Sequence, residues 1–218
     1  MPTLASIQVG IVRHLGDEAA TNPLEKPWSS GFFKEPVAGP VRVTTTQVVG
    51  DQQADLKHHG GPDKAVLAYA AGHYPAWRTE LNLPDMPFGA FGENFTIDGW
   101  NEDTVCVGDV FRIGGEVVVE VSQPREPCWK LARRWKIRDL PKRVIATSRS
   151  GWYFRVRRIG TVEAGMVVER LENPFPQWTI RAANHVMHFG KQNAEANARL
   201  ADCPALSIDW RDALLARA

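Results

Sequence analysis

Short apolar runs broken by glycine and proline fill the first 170 residues, and along most of them apolar and polar positions alternate. In residues 116–122, Val117, Val119 and Val121 fall on one face while Val118, Glu120 and Ser122 take the other, the period of two of a half-buried strand. The same reasoning predicts strands over residues 6–12, 41–48, 66–70, 94–97, 110–113 and 165–171. Gly114-Gly115 offers a two-residue hairpin turn before residue 116. Many short strands and few long helices predict a mainly β fold with α elements, a closed or nearly closed barrel with short peripheral helices.

Helical spacing interrupts this pattern. Pro75 suits the first turn of a helix ending near Leu81, and Leu140, Val144 and Ile145 share one side of another over residues 140–148. Between them, residues 128–136 put Cys128, Leu131, Ala132 and Trp135 on one face. Beyond Asn173-Pro174-Phe175-Pro176 the chain turns helical. Helices are predicted over residues 179–188, 191–200 and 207–217, with Thr179 and Ser207 as N-caps, Gly190 as a stop and Pro204 as a break. The expected organisation is a barrel domain over residues 1–172 and a small three-helix domain over residues 173–218.

Composition narrows the class. With 218 residues, 44% of them hydrophobic, the chain buries a sizeable core without disulfides or a structural metal. No apolar run approaches the ~18 residues of a membrane span, and residues 1–10 lack the features of a secretion signal, so a cytoplasmic location is expected. Cys106, Cys128 and Cys203 contain no Cys-x-x-Cys pair, which argues against a disulfide framework or zinc site. The formal net charge of +1 hides an asymmetry: from Arg125 to Arg158 twelve basic residues face only Glu126 and Asp139. That segment suits an anionic ligand, an acidic protein or nucleic acid, or it is a solvated face.

Three segments could carry chemistry. In Gln123-Pro124-Arg125-Glu126-Pro127-Cys128-Trp129-Lys130 a valine-rich strand meets a helix start, which places Cys128 in the first helical turn, where a thiolate is favoured as nucleophile or soft-metal ligand. The same cysteine also fits the apolar face of Leu131 and Trp135. In the stretch from Gly50 to Lys64, the paired Gly60 and Gly61 suit close backbone approach to an anion and Lys64 adds a charge, although in isolation a polar turn is the simpler reading. In Phe91-Gly92-Glu93-Asn94-Phe95-Thr96, Asn94 could read a heterocycle edge and Glu93 could move a proton, or the segment is a turn into a strand.

In this order, Gly-Asp-Gln-Gln-Ala-Asp, His-His-Gly-Gly-Pro-Asp-Lys, Phe-Gly-Glu-Asn-Phe and Ser-Gln-Pro-Arg-Glu-Pro-Cys-Trp-Lys-Leu resemble the motifs of the MOSC domain family, and the last motif with the helical tail resembles its YiiM-like subgroup. The resemblance covers nearly the whole chain and implies a MOSC β-barrel followed by three helices. It also implies binding of the molybdenum cofactor (Mo-molybdopterin), a pterin dithiolene with a phosphate, with Cys128 completing the metal's coordination. Lys57, His59, Gly60, Gly61, Lys64, Asn94 and Arg125 are the positions it assigns to pterin, phosphate or pocket.

Related family members reduce N-hydroxylated compounds, including hydroxylaminopurine-type base analogues, to amines. Cys128 would then be the catalytic metal ligand, with His59 or Glu93 handling a proton and nothing selecting between them. The chain carries no dinucleotide fingerprint and no haem or iron-sulfur cysteine spacing, so a separate flavoprotein or ferredoxin-type electron donor is expected, for which the basic segment is a docking surface. The other expected partner is a small-molecule N-hydroxylated substrate, with neither membrane nor nucleic acid; a homodimer stays open. A non-catalytic cofactor or sulfur carrier would show the same motifs, and a metal-free cysteine hydrolase would need a histidine, for which His59 is the candidate.

Overall fold

The computed structural model describes residues 1–55 and 60–217. Along it run β1 (Thr3–Val9), β2 (Arg13–Leu15), β3 (Trp28–Ser30), β4 (Glu35–Pro36), β5 (Val41–Val43), β6 (Val66–Ala70), α1 (Tyr74–Glu80), β7 (Phe95–Asp98), β8 (Val110–Ile113) and β9 (Val117–Pro124). They are followed by α2 (Trp129–Trp135), α3 (Leu140–Thr147), β10 (Trp152–Arg158), β11 (Gly160–Val162), β12 (Val168–Glu172), α4 (Ile180–His188), α5 (Ala194–Ala201) and α6 (Ile208–Leu215).

The main sheet is mixed, in the order β12-β8-β9-β10-β6-β7-β1-β4, with β6 and β7 parallel and every other pair antiparallel. As a ladder it is open. The start of β1, next to the β4 end, nevertheless meets the segment leading into β12, because Thr3 bridges Val167, Leu4 N donates to Met166 O at 2.8 Å and Val168 N donates to Pro2 O at 3.0 Å. β5 with β11 and β2 with β3 form small separate ribbons.

Several expectations are corrected locally. The strand expected over residues 41–48 folds back on itself, because the Thr44 hydroxyl donates to Gln47 O at 2.9 Å and Val48 returns to bridge Val43. Glu116 belongs to a three-residue turn, since Ile113 pairs with Val117, and Gly114 supplies the positive φ of 59° that the turn needs. β10 was not predicted at all, although Trp152, Phe154 and Val156 are buried and alternate with less buried Tyr153, Arg155 and Arg157. Thr179 and Ser207 do cap α4 and α6, accepting from Ala182 N at 3.0 Å and Trp210 N at 3.4 Å.

Two apolar clusters result. The larger fills the space between the strands and runs on into α4, α5 and α6 through Ile180, Leu200, Trp210 and Leu214. The smaller joins Tyr69, Tyr74, Trp77, Phe91, Leu131, Leu140 and Val144, so that α1, α2 and α3 share one aromatic foundation. Phe91 stacks on Tyr69 with centroids 4.5 Å apart. Phe91→Ala is expected to cost about 3–5 kcal/mol and lower the melting temperature by roughly 6–20 °C, which thermal unfolding followed by circular dichroism would measure.

Candidate functional site

β9 stays paired with β10 as far as Pro124, opposite Trp152, and Arg125 N donates to Gly151 O at 3.0 Å before Pro127, which has no N–H, ends the run. Gly151 has φ +75°, and a Cβ there would lie 2.4 Å from Ala68 O, so only glycine lets β10 approach β6 this closely. α2 then starts. Cys128 is its N-cap rather than part of its first turn, with extended φ −99° and ψ 167°, and its carbonyl accepts from Leu131 N at 3.2 Å. Leu131 and Ala132 turn inward, while Cys128 is only half-buried and lies outside both apolar clusters. A helix of seven residues carries little dipole, so the charge around the sulfur comes from side chains.

Cys128 lies in the wall of a hollow, open to solvent, that Lys34, Lys64, Arg125 and Lys130 line among the described residues. Lys34 and Asp51 form a buried ion pair at 2.5 Å, and Asp51 Oδ1 also accepts from Gly10 N at 2.8 Å. Burial lowers the Lys34 ammonium below its usual range, against the pull of Asp51 and Glu93. Arg125 is buried; its Nη2 donates to Phe91 O at 3.1 Å, and its Nη1 has no hydrogen-bond partner among the described residues. Lys64 reaches from the turn after Gly61 to Asp209 of α6, 2.6 Å away, tying the C-terminal helices to the hollow. That turn is itself fixed by Asp63, whose carboxylate accepts from Arg155 at 2.7 Å. Tyr153 completes this side, and burial pushes its phenol up to about 12, so it keeps its proton at neutral pH.

The other residues expected at the site are placed differently. Glu93 is fully buried and does not line the hollow; its carboxylate accepts from Gly89 N at 2.7 Å, Phe91 N at 3.1 Å, the Thr96 hydroxyl at 3.0 Å and the Tyr74 hydroxyl, so it organises the loop beneath. Asn94 lines the hollow, but its amide braces strands rather than facing a ring: Oδ1 accepts from Leu67 N at 3.2 Å and Nδ2 donates to Gln8 O at 3.3 Å. Gly61 takes φ +95° to enter the turn, with open space where a Cβ would stand, and neither it nor Gly60 is part of the wall. Lys57 and His59 lie outside the described residues. Lys34 and Tyr153 were missed by sequence reasoning. The alternation of residues 152–157 points to the strand that carries Tyr153, whereas nothing local marks Lys34.

The basic segment does not form one face. Arg125 and Lys130 are buried at the hollow, Arg143 pairs with Asp139, Arg149 with Glu80, and Arg155 and Arg157 with Glu120. Arg134 bonds to the Phe32 and Gly89 carbonyls, and Lys136 to Glu25. Arg133 bonds to the Lys26 and Pro27 carbonyls and Arg158 to those of Gly115 and Glu116, and a groove next in the chain to Cys128 is lined by Trp129, Arg133, Arg138 and Lys142.

A profile described as MOSC domain matches residues 55–169, and one described as YiiM-like, 3-alpha helix domain matches residues 178–217. YflK of Bacillus subtilis (strain 168) is 41% identical over 186 residues, covering 85% of this chain and 83% of its own. A protein of Gibberella moniliformis named reductase is 38% identical over 183 residues, covering 83% of this chain and 32% of its own. The crystal structure of YiiM from Geobacillus stearothermophilus superposes with a TM-score of 0.81 and 35% identity, over 100% of this chain and 99% of that one.

Proposed function

Because the chain belongs to the MOSC domain family and carries the YiiM-like three-helix domain, we propose that it is a molybdenum-cofactor-dependent reductase of N-hydroxylated compounds, with Cys128 as the protein ligand to the metal. Hydroxylamines, amidoximes and hydroxylaminopurine-type base analogues are the substrate class. The observation that carries the reading is a half-buried thiol sharing one wall with Lys34, Lys64 and Arg125.

That wall fits the cofactor. Among the described residues no three His, Cys, Asp or Glu side chains come together to hold a bare ion, so a metal at Cys128 has to bring ligands of its own, as a dithiolene does. Lys34, Lys64 and Arg125, whose Nη1 has no hydrogen-bond partner among the described residues, suit its phosphate. When bound, the cofactor supplies the two-electron chemistry by which an N–O bond gives way to N–H and the oxygen leaves as water, with two protons consumed. The chain supplies the rest: Cys128 fixes the metal's place, the cations fix the phosphate, and Tyr153 holds a proton on its phenol oxygen beside them. The fungal relative's name supports an enzyme over a carrier.

Metal analysis of protein made in a host that synthesises the pterin, followed by benzamidoxime reduction with an artificial donor, tests this. Roughly one molybdenum per chain with turnover is expected. Metal without turnover would leave a carrier, and no metal despite saturating supply would end the reading. Tyr153→Phe is expected to keep its molybdenum and lose about 10²-fold in turnover, with no limb near neutral pH in the wild-type profile that this substitution removes.

Electrons come from a separate acidic flavoprotein or ferredoxin-type carrier, for which the groove of Trp129, Arg133, Arg138 and Lys142 is the docking surface. Replacing Arg138 and Lys142 with glutamine should raise the KM for an acidic donor severalfold and flatten its salt dependence, with dye-driven turnover unchanged.

A further inference from the structure

Arg125 is held at two points, its backbone N–H on Gly151 O and its guanidinium on Phe91 O, and both lead away from the hollow to one buried cluster. At the centre of that cluster is Glu102, in the loop between β7 and β8, which is 1% exposed and not part of the wall of the hollow. Its Oε1 accepts from Gly151 N at 2.8 Å and its Oε2 from His73 Nε2 at 2.5 Å. The His73 ring meets Tyr69 edge-on with centroids 5.6 Å apart, and Tyr69 stacks on Phe91 and donates its hydroxyl to Arg149 O at 2.9 Å.

Gly151 is therefore gripped from both sides. Glu102 takes its N–H, while its carbonyl accepts the Arg125 N–H and, at 2.9 Å, the Ser150 hydroxyl. Burying a carboxylate costs far more than burying a carbonyl, which would satisfy the Gly151 N–H equally well. What the carboxylate adds is a second oxygen, and with it one short link from Gly151 through His73 to the ring that carries Phe91.

We propose that Glu102 is the positioning residue for Arg125. It sets the peptide on which the Arg125 backbone hangs and, through His73 and Tyr69, the loop carbonyl on which the guanidinium rests, so that Nη1 faces the hollow ready for an anion. The proposal rests on the reading of Arg125 as a phosphate ligand of the cofactor. α4 is seated on the same clasp, since Arg181 N donates to Glu102 O at 2.9 Å and Asn184 Nδ2 to Ser150 Oγ at 2.9 Å. The C-terminal helices and the phosphate-binding cation are thus fixed through one loop.

Inorganic pyrophosphate, titrated calorimetrically into the full metal-free chain, tests the clasp. Glu102→Ala should weaken pyrophosphate by about tenfold, the worth of one charge-assisted hydrogen bond lost with the aim of Arg125. Glu102→Gln removes the charge but keeps an acceptor for Gly151 N, and should stay within about threefold of the wild type. Glu102→Asp keeps the charge but falls a methylene short of Gly151, and should repeat the alanine loss even if the alanine protein does not fold. Combining the alanine or aspartate change with Arg125→Gln should cost little beyond Arg125→Gln alone, whereas a general loosening of the fold would make the two losses add. Additive losses, a glutamine protein as weak as the alanine one, or wild-type affinity in the alanine or aspartate protein would overturn the role of Glu102 alone. A wild type that binds no pyrophosphate, or an Arg125→Gln protein that binds it as tightly, would remove the phosphate site itself and the proposal with it.

Discussion

Cys128→Ser protein is expected to purify folded but without molybdenum, and to lose at least about 100-fold in N-hydroxyl reduction. Cys128 is half-buried, makes no side-chain cap bond to α2 and belongs to neither apolar cluster, so exchanging sulfur for oxygen disturbs the fold by no more than about 0.5–1 kcal/mol. Metal affinity responds far more strongly. Molybdenum bound through thiolates prefers sulfur to a neutral hydroxyl, and changes one shell further out from a metal already cost 10–100-fold. Mass spectrometry for the metal and a melting curve on the same sample separate the two effects. A full complement of molybdenum in the serine variant would remove Cys128 from the coordination sphere.

Asp51→Asn carries the largest expected loss of stability, about 3–5 kcal/mol, because it leaves the Lys34 ammonium buried without its counter-charge. The sign of the pH effect follows. In the wild type, burial already holds Lys34 below the ordinary lysine range, so between its folded pKa and 10.5 the unfolded chain binds more protons than the native one, and stability rises with pH there. Without the carboxylate the folded pKa drops further and that window widens toward neutrality. Urea unfolding between pH 7 and 10 should therefore show the variant gaining stability more steeply than the wild type. Parallel slopes would mean that Asp51 does not sustain the Lys34 charge. Phosphate affinity in the hollow should fall with the same substitution, since a neutral Lys34 no longer attracts an anion.

Much of the barrel and part of the site were legible in the chain. β6 and β8 fall where alternation and apolar runs put them, at Val66–Ala70 and Val110–Ile113, because those strands are specified by their own residues. β10 was hidden by its arginines: Arg155, Arg157 and Arg158 read as surface charge, although Trp152, Phe154 and Val156 keep a strict inward period. Cys128, Arg125 and Lys64 were found because each sits at a break that local chemistry marks, proline on one side and paired glycine on the other. Lys34 joins them only through tertiary pairing with Asp51, and Glu93 leaves the set only because two loop N–H groups and the hydroxyls of Tyr74 on α1 and Thr96 on β7 converge on it. Such facts belong to contacts between distant segments, which no window of sequence contains.

The meeting of Thr3 and Leu4 with Met166 and Val167 joins β1 to the segment before β12 across more than 160 residues of chain. On the ribosome, β1 must wait for almost the whole barrel to emerge before its last neighbour exists, and until then its backbone groups on that side are an open template for pairing with other chains. Contacts so remote in sequence also slow spontaneous refolding, which should place this protein among the millisecond-to-second folders or slower. Recovery of active material from denaturant should therefore fall steeply with protein concentration.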